Sequence, residues 1–275
     1  MRNALSTLIA VGLTHASFSQ AQVGSPATSK FDVASIKLNT SGDQFQGVAV
    51  PGGGRFNATN APLRGIIKAA YRLQENQLVD LPGWADSERF DITAKAEQNI
   101  GGEAIWPLVR ALLEDRFKLR FHRETRQLPV YALVVSKPGK LVESERMCDT
   151  SPPRAPVPPA PGKLGCGGLF TFPAGDNGIR INASKSSIEP FCALLSRLTG
   201  KPVLNRTGLT GKYDIDIVFA GDPNRSTPAE DAPPENSTLP SLFTVIQDQL
   251  GLKLDSQRGP AEVLVVDHIE RPSDN

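Results

Sequence analysis

Few residues in this chain have the types and spacing that chemistry demands. Of the three histidines, His15 lies in an apolar amino-terminal stretch, His122 sits beside Arg120 and Arg123, and His268 follows the last apolar run. Neither His122 nor His268 has a second His or Cys at ligand spacing, so no metal site is expected. The chain contains no Gly-x-Ser-x-Gly and no His-Glu-x-x-His. No nucleophile with an orienting acid can be assigned, and no catalytic residue is expected. Gly52-Gly-Gly54 lacks the Gly-Lys-Ser/Thr ending of a phosphate loop and precedes a strand, so it reads as a tight turn and implies no cofactor. The alternating run Arg116-Phe-Lys-Leu-Arg-Phe-His-Arg123 reads as a strand with aromatics turned inward and a basic face turned to water. Trp84, in the loop Pro82-Gly-Trp-Ala-Asp86, is the one candidate contact residue.

The elements that position these residues follow from an internal repeat. Arg55-Phe-Asn-Ala-Thr-Asn60 aligns with Arg180-Ile-Asn-Ala-Ser-Lys185, each a strand entering a helix. Leu63, Ile66, Ile67 and Ala70 then fall on Ile188, Phe191, Cys192 and Leu195, two stripes with helical spacing. The basic-aromatic-Asp-Ile step occurs twice, as Arg89 to Ile92 and as Lys212 to Ile215. Val109, Leu112 and Leu113 match Leu242, Val245 and Ile246 as a second helix. Phe117, Leu119 and Phe121 match Leu250, Leu252 and Leu254 as a half-buried strand. Val130 to Val135 and Val263 to Val266 follow as apolar runs expected to be covered on both faces. Gln127-Leu-Pro129 and Arg258-Gly-Pro260 read as the hairpin turns between those strands. Trp84 falls opposite Leu209, which favours packing over ligand contact for it.

The expected fold is therefore α+β, with two tandem duplicated two-layer β-α-β-β-α-β-β units over residues 31–145 and 168–275. A Pro-rich spacer, residues 146–167, joins them, and residues 221–240 form a mobile loop inside the second unit. Cys148 and Cys166 flank the spacer and are expected to form a disulfide, adding roughly 3 kcal/mol. Cys192 takes the place of Ile67 on a helix stripe and is expected to act as a small hydrophobe.

With 30 Lys and Arg against 29 Asp and Glu, the charge balance argues against a nucleic-acid binder. No apolar stretch after the amino terminus is long enough to span a membrane. Residues 1–21 carry one charge at Arg2, an apolar run and a Ser19-x-Ala21 end, the pattern of a secretory signal peptide. The expected location is periplasmic or extracellular.

Several segments carry a resemblance. Phe31 to Lys37, Gly54 to Asn60, Asp115 to Leu119, His122 to Thr125, Leu128 to Leu133, Gly208 to Asp214, Pro240 to Phe243 and Gln249 to Asp255 are similar to a family of soil-associated bacterial exported proteins grouped as a domain of unknown function. That resemblance implies export, sometimes alongside sensor-type membrane peptidases, and brings no catalytic residue with it. The repeat unit also resembles, through element order, the short amino-terminal domain of secretins and TonB-dependent receptors. The expected function is a non-enzymatic binding or signalling module whose partner is an envelope protein or small ligand. An envelope hydrolase with dispersed catalytic residues, or a purely structural envelope protein, are the alternatives.

Overall fold

The computed structural model of the chain describes residues 30–272 apart from 44, 146, 148–165, 176 and 222–237. The expected signal peptide, Cys148, the Pro-rich run and most of the 221–240 loop lie outside the described residues.

Hydrophobic period decides the elements. The first half runs β1 (Val33–Leu38), β2 (Gly47–Gly52), β3 (Arg55–Pro62), α1 (Leu63–Tyr71), β4 (Leu78–Val79), α2 (Trp84–Ser87), β5 (Arg89–Lys95), α3 (Trp106–Arg116) and β6 (Arg120–Val135). The second runs β7 (Gly168–Ala174), β8 (Gly178–Ser186), α4 (Ile188–Thr199), β9 (Val203–Asn205), β10 (Tyr213–Ala220), α5 (Leu242–Leu250) and β11 (Leu252–His268). The class is α+β. Setting the short α2 aside, the order β-β-α-β-β-α-β runs from β2 to β6 and again from β7 to β11.

Each helix stripe is buried as its spacing requires. Leu63, Ile66, Ile67 and Ala70 of α1 pack into a first core, and Ile188, Phe191, Cys192 and Leu195 of α4 into a second. The first core is covered by a sheet in the order β1-β5-β3-β2, the second by β10-β8-β7. A third sheet, β4-β11-β6-β9, serves both. Gly52, Gly53 and Gly54 make the turn between β2 and β3 at φ of 87°, 62° and 73°. The close approach of the Ala96 and Gln98 carbonyls leaves no room for a Cβ at Gly54.

The structure corrects the expected hairpins. Gln127–Pro129 and Arg258–Pro260 are not turns; they lie inside β6 and β11, which are 16 and 17 residues long. The two strands pair antiparallel from Leu252↔Val135 to His268↔Arg120, with Gln127 opposite Pro260 and Pro129 opposite Arg258. The prolines are tolerated for a reason the turn rules omit. Tyr131 N–H donates outward to the Pro202 carbonyl (2.9 Å), and the Leu133 carbonyl accepts from Arg206 N–H (2.9 Å). Pro129 shares their parity, so its missing N–H falls on the outer edge. β4 and β9 reach only Leu264–Val265 and Tyr131–Leu133, so the middle of the ribbon is two-stranded with both edges open.

Each long strand therefore leaves its own core and completes the other. Leu264 and Val266 of β11 pack in the first core, and Tyr131 and Leu133 of β6 in the second. The parallel contacts are equivalent as well: β4 joins β11 through Leu78↔Leu264, and β9 joins β6 through Val203↔Tyr131. Of the apolar runs expected to be covered on both faces, Val263 to Val266 is buried throughout and Val130 to Val135 is buried as far as Leu133, with Val134 and Val135 half-buried.

The recurring Asp of the basic-aromatic-Asp-Ile step has a structural duty in both lobes. Asp91 accepts the backbone N–H of Asn60 and the Asn39 side-chain amide, both at 2.8 Å. Asp214 accepts the backbone N–H of Lys185 and the Ser144 hydroxyl, both at 2.7 Å. Asn60 and Lys185 are left-handed, with φ of 47° and 44°, and each lies beside an irregularity in its strand pairing. The carboxylate thus stabilises a backbone conformation that a non-glycine residue disfavours. Asp91→Ala should cost about 2 kcal/mol in urea unfolding, whereas Thr93→Ala, exposed on the same strand, should stay within about 0.5 kcal/mol. Equal losses would remove this role from Asp91.

Candidate functional site

The titratable groups converge at one end of the β6–β11 ribbon. The strand expected from Phe117 begins only at Arg120: Phe117–Leu119 form a turn with Lys118 left-handed, which still sends Phe117 and Leu119 into the first core and leaves Lys118, Arg120 and His122 exposed. β11 returns alongside, with Val265 opposite His122 and His268 opposite Arg120. An irregularity between Val266 and His268 gives Asp267 an extra place on the strand, and its carboxylate reaches across to β6.

His122 is held from both sides. Its Nδ1 lies 2.7 Å from an Asp267 carboxylate oxygen, and its Nε2 lies 3.0 Å from Glu124. Glu124 in turn accepts from Arg126 Nε at 2.8 Å. The bond to Glu124, then that to Asp267, raises the His122 pKa above its ordinary 6.5; the same His122 bond, with Arg126, lowers that of Glu124. Both ring nitrogens bond to carboxylates, which favours the doubly protonated ring.

The sign of the pH effect follows. A raised histidine contributes stability fully below its unfolded value, and loses it as pH climbs through the folded one. The exposed ring keeps the effect small. His122 should titrate above 6.5 by proton NMR, and Asp267→Asn should move the midpoint down. A midpoint at or below 6.5 in the unaltered protein would contradict the geometry.

Beside His122 lies an open concavity of about 430 Å³ lined by Lys118, Arg120, His268 and Glu270. Glu270 Oε1 lies 2.8 Å from His268 Nε2, and the Glu270 backbone N–H donates to the Phe117 carbonyl (2.7 Å), fixing the chain after β11 against the first lobe. The sequence showed the basic row of β6 but not its neighbour across the ribbon. An exchanged antiparallel pair is the arrangement that brings His268 to Arg120, and the two prolines point to turns instead.

Trp84 lies elsewhere. Its ring meets Phe90 edge-on at 6.5 Å and lies beneath the Arg271 guanidinium, 4.9 Å from the ring centre. Arg271 also holds Glu88 with two nitrogens, at 2.9 and 2.7 Å. Trp84 therefore caps the first core and braces the carboxy-terminal tail. Cys192 is buried on its helix stripe, and burial pushes its thiol up to about 12, which leaves it unreactive. Cys166 stands just before β7, while its expected partner Cys148 lies outside the described residues. Among the described residues no group of three or more His, Cys, Asp or Glu is placed to hold a metal ion. Nor is any described helix long and apolar enough to cross a membrane.

A family pattern described as "Protein of unknown function (DUF3738)" matches residues 64–269. The chain belongs to this family. The one DUF3738 match runs from α1 to just past β11, so it takes in the ribbon, the second lobe and the part of the first lobe that follows β3. No curated protein and no solved structure matches the chain.

Proposed function

We propose that the protein is exported to the periplasm or beyond and acts there as a non-enzymatic binding or signalling module, its two lobes being copies of one duplicated unit. The observation that carries this reading is the charged end of the ribbon. Lys118, Arg120 and His268 line a concavity that can hold a charged ligand, and His122 beside it is committed to two carboxylates. A general base needs a free nitrogen to take a proton from a nucleophile; His122 has none to offer.

The hydrolase reading has one observation in its favour, the 2.7 Å pairing of Asp267 with His122. Cross-linking of tagged mature protein in native envelopes separates the two readings. A single reproducible partner, captured equally by the unaltered protein and by His122→Ala, supports the binding module. Turnover of an envelope ester or peptide that His122→Ala abolishes, with no partner captured, overturns it. Export predicts that the secreted chain begins at Gln22, and the Cys148–Cys166 pairing predicts one alkylatable thiol, Cys192, in the unfolded, unreduced protein.

A further inference from the structure

We propose that the concavity lined by Lys118, Arg120, His268 and Glu270 binds the phosphoryl group of a ligand through its three basic residues, the Glu270 carboxylate being paired with His268 at 2.8 Å; this rests on the binding reading above and names its ligand chemistry. Two segments deliver the donors: Lys118 and Arg120 from the turn after α3 and the first residue of β6, and His268 from the last residue of β11. Arg64, Arg123, Arg126, Arg180 and Arg271 each rest on a carboxylate. The Arg120 guanidinium, like those of Arg55, Arg197 and Arg206, has no carboxylate partner among the described residues, and of these four it is the one that lines the concavity, in register with His268. Lys118 donates to the Asp115 carbonyl (2.7 Å), which leaves two of its three ammonium hydrogens for a ligand. His268 gives Nε2 to Glu270, so its Nδ1 donates to a ligand when the ring carries both protons. Two N–H groups of the arginine fork, two ammonium hydrogens and the Nδ1–H of the protonated imidazole exceed the roughly four acceptor sites of a carboxylate, and suit the three terminal oxygens of a phosphate.

The other end of the ribbon supplies the contrast. There α5 ends in Gly251, left-handed at φ 66°. The Gly251 carbonyl accepts Ser136 N–H, Lys137 N–H and the Ser136 hydroxyl, at 2.8, 2.9 and 3.1 Å. Lys253, at the place of Arg120, is paired with Asp255 at 2.6 Å. That end is closed by the chain itself. At the charged end the residue in the place of Gly251 is Lys118, which is also left-handed, at φ 52°. A lysine disfavours that conformation where glycine would adopt it without strain, and its exposed side chain gains no packing in return. Strain of this kind gathers at binding sites, and of the six described non-glycine residues with positive φ Lys118 is the one that lines this concavity.

The test titrates the full mature protein with phenyl phosphate, followed by two-dimensional amide NMR and calorimetry. Shifts are expected at residues 118–122 and 267–270, with affinity falling as salt rises. Arg120→Gln should weaken binding at least tenfold at an unchanged melting temperature, and Arg126→Gln should leave it within twofold. Lys118→Gly should raise the melting temperature while weakening binding, an opposition that a purely structural lysine would not produce. A parallel arm uses vesicles containing phosphatidic acid. Binding there alone, lost in Arg120→Gln, assigns a lipid headgroup; binding to phenyl phosphate assigns a soluble phosphomonoester. Binding to neither, shifts elsewhere, or affinity unaffected by Arg120→Gln overturns the proposal. Partner capture that persists in that event leaves the binding module standing without this ligand.

Discussion

Leu133→Ala should loosen the second lobe, although Leu133 belongs to the first half of the chain. Its side chain is fully buried in the core formed by α4, α5 and β10. Truncation removes most of that contact and leaves a cavity, at about 3 kcal/mol. The location of the damage is the telling part. Native-state hydrogen exchange should quicken in Ile188–Thr199 and Leu242–Leu250, and remain slow in Leu63–Tyr71 and Trp106–Arg116. Leu264→Ala should give the mirror image, because Leu264 is buried in the first core. Exchange that quickens in the lobe from which each residue's own half is built would contradict the strand exchange.

Gly251→Ala should be equally costly for a different reason. Gly251 is left-handed, and a Cβ there would collide with the Lys137 carbonyl oxygen, a backbone atom that cannot swing away. The same turn supplies the carbonyl on which Ser136 and Lys137 anchor the end of β6. Strained backbone and lost anchoring together should amount to about 3 kcal/mol, visible as a lower urea midpoint. Gly53→Ala is the comparison: at φ 62° it has open space around its Cβ, so only the conformational part applies and the loss should be about 1 kcal/mol. Equal losses at the two positions would show that crowding at Lys137 is not the cause.

The local elements were legible in the chain because their signals are local. Stripes such as Leu63, Ile66, Ile67 and Ala70 state a helix and its buried face without reference to anything distant. The same holds for Cys192 on a buried stripe; the alternation from Phe117 to Phe121 states which side chains are buried but not the element, since Phe117–Leu119 form the turn after α3 and β6 begins only at Arg120. What a local pattern cannot state is its partner. Pro129 and Pro260 are turn formers in most settings, and only the open edges of a two-stranded ribbon make them acceptable in mid-strand. As turns, they would fold each apolar run back onto its own half.

The site was hidden for the same reason. The basic row of Lys118, Arg120 and His122 was visible, but His268 and Asp267 come to it only through the exchanged strand. The latch on Asp91 and Asp214 was visible as a repeated step, and its duty became clear only from the left-handed residues it holds. One more likeness had no sequence signal. Ser144 N–H donates to the Lys212 carbonyl (2.7 Å) as Asn39 N–H donates to Arg89 (2.8 Å). The segment after β6 therefore stands where β1 ends in the first lobe.

The most direct test of the exchanged ribbon is to cut the chain between its halves. A protease site introduced after Ala155 would be cleaved in the full mature protein under reducing conditions, and the product examined by size-exclusion chromatography. The two fragments should elute together at the volume of the uncut chain, and part only in denaturant, because each core is completed by the other fragment's strand. Fragments that separate in native buffer, each keeping its own cooperative unfolding transition, would contradict the exchange and restore two independent units.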